Sequence, residues 1–234
     1  MRGVNDTDTF VMASLLKVPL AVAYFRLAEI TPDVLSQKVV YSGIPDLYLN
    51  QNIQPPEKLI KGKEYTIEDL LYRSLAYSDN TAAEILSQNY VTDDYLQKIL
   101  LTIGLHNRNK DQIETMVTAK SYAGVFRILY NSSFLTRKYS NEIIKTLSQS
   151  SFTDGATANL PAGVFVAHKF GERAFIDPQT KSSTIEQLHD CGIVYAKDRK
   201  EPYTFCILTE GKSFFDLKTI IQQISATIYK GIVE

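Results

Sequence analysis

Cysteine, histidine and net charge are all scarce in this chain, and each scarcity closes off a class of function. The 234 residues include two cysteines and three histidines. The histidines are scattered with no H-E-x-x-H or similar cluster, and neither cysteine has metal-ligand spacing, so no metal site and no cofactor are expected. A net charge of −1 with a pI near 6.3 offers nothing to attract nucleic acid or a charged membrane surface. No apolar run approaches the ~20 residues of a transmembrane helix. The region after Met1 shows no export-signal pattern, and there is no internal repeat or low-complexity tract. Cys191 and Cys206 fall on two strands of a predicted hairpin centred near Asp198-Arg199, opposite or diagonal on one face. A disulfide needs a close Cα approach, so two buried thiols are the expectation.

What is present suits a globular enzyme domain. Hydrophobic residues make up 44% and charged residues 22%, and the length can bury a substantial core. We read one domain over 1–234. Residues 14–160 are mostly helical, and residues 163–210 form a three-stranded antiparallel sheet. The last element is a helix over 216–233 with Leu217, Ile220, Ile221, Ile224 and Ile228 on one face. The stretch 42–63, with Gly43, Pro45, Pro55, Pro56 and Gly62, reads as loops. Asn131-Ser132-Ser133 reads as a turn between helices. Helices packed on an antiparallel sheet make an α+β fold, with a site at the seam between them.

Three short motifs carry the chemistry: Ser14-Leu15-Leu16-Lys17, Ser78-Asp79-Asn80 and Lys169-Phe170-Gly171. A serine hydroxyl is a poor nucleophile until a base takes its proton. On a helix Ser14 and Lys17 share a face, and the apolar run Leu15–Leu27 would bury the amine and lower its pKa. Pro19 falls near the first turn, where proline is tolerated. Taken alone, the pair also fits a capped core helix with a snorkelling lysine. Ser78-Asp79-Asn80 lies between two helical patterns, the first opened by Thr66-Ile67-Glu68-Asp69. It fits either an N-cap or a hydroxyl and an amide facing a cleft. Lys169-Phe170-Gly171 ends a β-type run from Gly163, either an ordinary amphipathic strand or an edge that binds an extended substrate.

In this order the motifs match the S-x-x-K, S-D-N and K-T-G set except at one residue. The chain resembles the penicillin-interacting serine hydrolases, in the class A β-lactamase-related group, from about Phe10 to the C-terminus. The resemblance implies a β-lactamase/transpeptidase-like fold. It implies Ser14 as the acylated nucleophile, Lys17 as its base, Ser78 as proton relay and Asn80 as orienter. Lys169 would bring positive charge to a substrate carboxylate and Gly171 would allow close approach. The oxyanion hole would combine the Ser14 N–H with one just after Gly171, at Arg173. The expected small-molecule partner is a β-lactam or a peptidoglycan stem peptide, and the implied location is extracytoplasmic.

Three departures modify that expectation. Phe170 stands where the family has a hydroxyl residue, so one bond to a substrate carboxylate is lost. The segment 104–112 holds no E-x-x-L-N, and Glu114, the nearest acid, reads as a helix N-terminal charge, so a slow deacylation is expected. Thirteen residues precede Ser14, where the family fold starts with a helix and two strands. The strand Tyr203–Thr209 would then be an open apolar edge, inviting a homodimer or strand swap. Two rival readings remain, a non-catalytic module binding wall peptides and an esterase or peptidase for another substrate.

Overall fold

The computed structural model describes residues 3–233, apart from 49–50, 106–113, 178, 181–182 and 198. Its main sheet has the order β5 (Phe165–Ile176), β6 (Ser183–Tyr195), β7 (Tyr203–Gly211), all antiparallel. Alternation along the strands assigns the two faces. Ala167, Cys191 and Ile193 enter a large core with α1 (Lys17–Ala28), α2 (Ile67–Ala76), α5 (Ala119–Asn131) and α6 (Arg137–Leu147). Val166, Phe170, Leu188, Val194, Phe205 and Ile207 pack on the other face against Leu217 and Ile221 of α7 (Phe214–Val233). The fold is therefore α+β, with the sheet layered between α7 and the helical region.

Local chemistry sets the helix boundaries. Pro19 is the third residue of α1, where its missing N–H removes no helical bond. Thr66 caps α2 by accepting the N–H of Asp69. Asp79 caps α3 (Asn80–Ser87) by accepting the N–H of Ala82. Thr118 and Ser121 close a reciprocal box at the start of α5. That helix ends at Asn131, and Ser132 turns the chain with φ 50°. Along with α4 (Asp93–Thr102), these helices bear out the helical reading of residues 14–160.

The structure corrects the sequence reading in three places. The hairpin of β5 and β6 runs well beyond the predicted 163–171 and 188–195, because its outer part carries charged and exposed residues with no apolar alternation. Two small antiparallel pairs were not foreseen: β1 (Thr9–Val11) with β4 (Met116–Thr118), and β2 (Lys38–Val40) with β3 (Glu64–Thr66). Three residues are too few to show a period of two. Finally, Cys191 and Cys206 are not free thiols but a disulfide. The register places them directly opposite with Cα atoms 3.9 Å apart, so the diagonal arrangement that would have kept them separate does not arise.

β7 pairs on one side only among the described residues. No described helix is long and apolar enough to cross a membrane.

Candidate active site

The first motif lies on a tight 3-10 turn, Ala13–Leu16, that runs directly into α1. Ala13 takes a left-handed φ of 47°, which aims the following turn at β5. Lys17 is the first residue of α1, and its amine lies 2.9 Å from Ser14 Oγ. Nζ also lies 2.7 Å from the Ser78 carbonyl, 3.1 Å from Ser78 Oγ and 2.6 Å from Asn80 Oδ1. Burial moves the Lys17 pKa from 10.5 down to about 7, against the opposing pull of Asp79 and Glu172. A buried amine poised near neutrality can take the serine proton.

Ser78 sits between α2 and α3 with φ 54°, a strained conformation for a non-glycine residue that its neighbours must hold. Asp79 fixes the turn from below by capping α3 and accepting from Tyr48 Oη at 3.2 Å. Burial raises the Asp79 pKa, while these hydrogen bonds and Lys17 oppose the rise. The N-cap and cleft readings of this motif therefore hold together.

From the opposite wall, Lys169 Nζ donates to Ser78 Oγ at 2.7 Å and to the Phe170 carbonyl at 2.9 Å. It lies fully buried over the Phe170 ring, 4.1 Å from its centroid. Burial first, and the nearby Lys17 charge second, hold its pKa well below the ordinary lysine value. The Ser78 hydroxyl thus links two amines of lowered basicity, one of which touches Ser14.

Gly171 marks where β5 crosses the nucleophile turn. A Cβ there would lie 3.2 Å from the Leu15 nitrogen and 3.3 Å from the Met12 carbonyl, so a side chain would force the strand and turn apart. The Phe170 ring turns away into the α7 face, 4.5 Å from Phe152, leaving only its carbonyl on the cleft side.

Strand parity also settles which N–H groups face outward. The short Cα distance between Cys191 and Cys206 marks a non-hydrogen-bonded pair, so Cys191 turns its backbone groups toward β5 and bonds Lys169. Lys169, Gly171 and Arg173 then bond β6, and the outward N–H groups belong to Phe170 and Glu172. The Arg173 N–H expected in an oxyanion hole is corrected to that of Glu172. The Arg173 side chain does line the cleft.

Ser14, Lys17, Asn80, Gln51, Glu172 and Arg173 line a cavity of about 720 Å³. Gln51, Glu172 and Tyr48 were missed from sequence. Gln51 Nε2 donates to the Ser78 carbonyl at 3.1 Å, and its Oε1 accepts from the Asn80 N–H at 3.4 Å. The Ile53 N–H donates to Glu172 Oε1 at 3.1 Å, tying the same loop to β5. Nothing in an irregular proline-rich stretch signals such a clamp. Glu114 also lines the cavity, with Oε1 2.5 Å from Arg173 Nη2. Part of the segment examined for a deacylating glutamate, 106–112, lies outside the described residues. Among the described residues no group of acids, cysteines and histidines could hold a metal.

Several solved structures share this fold. A class A beta-lactamase representative from Bacteroides cellulosilyticus superposes with a TM-score of 0.80 at 19% identity, covering 98% of this chain and 86% of that one. A beta-lactamase from Sphaerobacter thermophilus gives 0.77 at 18%, covering 97% and 85%. PBP-A gives 0.78 at 16%, covering 98% and 83%. No curated protein sequence matches the chain. The sequence model of the Beta-lactamase enzyme family matches residues 2–232. With that match over nearly its whole length, the chain belongs to the beta-lactamase enzyme family.

Proposed function

We propose that this protein is a serine hydrolase acylated on Ser14 by β-lactams or D-Ala-D-Ala-type amides, and that it releases the acyl group slowly. The observation that carries this reading is the buried Lys17 amine, 2.9 Å from Ser14 Oγ with a pKa near 7. Lys17 takes the Ser14 proton as Oγ adds to the carbonyl carbon. The N–H groups of Ser14 and Glu172 hold the developing oxyanion. The bond to the leaving nitrogen then breaks, and the proton passes from Lys17 through the Ser78 hydroxyl to that nitrogen. Lys169 stabilises the Ser78 oxygen during the transfer, and Asn80 holds the Lys17 amine in place.

Deacylation needs a second group to activate water. Glu114 is held by Arg173 instead of standing free beside the nucleophile. Lacking a positioned base costs on the order of 10²–10⁴ in rate, so the acyl-enzyme persists. Action on β-lactams or wall peptides would place the protein outside the cytoplasm.

Intact-mass spectrometry with excess benzylpenicillin tests the reading. A long-lived adduct that Ser14→Ala abolishes is the expected result. Rapid consumption of the drug with unmodified protein would overturn slow release. Neither adduct nor consumption would overturn acylation itself and favour a binding module or another substrate.

A further inference from the structure

We infer that Arg173 is the receptor for a carboxylate on the acyl donor, and that Glu114 occupies this receptor until the donor arrives. The inference rests on the acylation of Ser14 proposed above and assigns the charge that its substrate must carry.

The cleft wall offers few alternatives. Lys169, the cation expected to meet a substrate carboxylate, is completely buried and hydrogen-bonded to Ser78 and Phe170. Phe170 contributes no hydroxyl and packs its ring on the far face of the sheet. Lys17 is engaged with Ser14, Ser78 and Asn80. Among the described residues lining the cavity, Arg173 is thus the one cation whose charged end is open, with 47% of its side chain exposed.

Its present partner is already a carboxylate. Arg173 Nη2 and Glu114 Oε1 are 2.5 Å apart, and both residues line the cavity that holds Ser14. They belong to different walls: Arg173 to β5, Glu114 to the segment entering β4. The guanidinium carbon stands 5.7 Å from the Phe175 ring centroid, which backs its plane and favours a fixed orientation. Planar guanidinium recognises carboxylates in general, so a donor carboxylate can replace Glu114 by an exchange of like partners. Glu114 is 30% exposed and can swing into solvent when displaced, so the exchange leaves no charge buried alone. The only other carboxylate beside Arg173 on this strand, Glu172, is tied to the Ile53 N–H.

The test compares Ser14 acylation rates for benzylpenicillin and its methyl ester, which differ only in the carboxylate. Reading the ratio cancels any general loss of activity in a variant. The acid should react faster than the ester in the natural protein. Arg173→Gln should lower the ratio about tenfold, the worth of one partly exposed charge-assisted hydrogen bond. Glu114→Gln should raise it, because the competing anion is gone. Ser14 acylated with a ratio that neither variant moves would overturn the inference and leave the proposed acylation standing. No acylation by either compound would overturn both.

Discussion

The pH dependence of acylation gives the most direct access to Lys17. Its amine must be neutral to accept the Ser14 proton, and burial brings its pKa from 10.5 to about 7. Two pH units below that value about one amine in a hundred is neutral, so acylation should be about 100-fold slower than on the alkaline plateau. The rate of adduct formation, followed by mass across the pH range, should bend near 7. Removing the opposing charge with Glu172→Gln should move the bend to lower pH, since that carboxylate holds the Lys17 pKa up. Stability carries the same information with a definite sign. Between about 7 and 10.5 the unfolded chain binds a proton on Lys17 that the folded chain does not, so this group adds stability as pH rises. The stability advantage of the natural protein relative to Lys17→Met should therefore grow by about 1.4 kcal/mol per pH unit in that window and stay flat below it. An inflection near 10, together with a stability difference that ignores pH, would refute the argument that burial makes Lys17 the base.

Gln51→Ala should slow acylation about 10–100-fold, the cost of leaving the buried Asn80 N–H unpartnered and the Ser78 turn unclamped, with little change in substrate affinity. Saturation kinetics that place the whole loss in binding would count against the clamp. Replacing both Cys191 and Cys206 by serine should cost about 3 kcal/mol in denaturant unfolding, because the bridge closes a short loop in the unfolded chain. An unchanged midpoint would mean that the register alone holds the hairpin. We propose that the open side of β7 pairs with a second copy of the chain, so sedimentation should show a dimer that grows with concentration. A monomer at all concentrations would remove that proposal.

Ser14, Lys17, Ser78, Asn80 and Lys169 could be picked out in sequence because each sits in a local motif whose spacing is set by a turn or a helix. Pro19, the Thr66 and Asp79 caps and the glycine at 171 were legible for the same reason. Their roles depend on neighbours within four residues or on a single close backbone approach. The α7 helix and the three strands also showed their periods along the chain. Other features required the folded molecule. Gln51 meets Ser78 across 27 residues, Ile53 meets Glu172 across 119, and Glu114 meets Arg173 from a separate wall. No pattern within either segment encodes such a meeting. The Cys191–Cys206 bridge and the outward N–H of Glu172 hang on the sheet register, and a shift of one residue would reverse both. The sequence by itself determined which chemical groups are available and the elements that carry them. Only the tertiary structure decided which groups share a low-dielectric cleft, and hence that Lys17 is basic near neutrality, that Phe170 faces away and that Arg173 stands open.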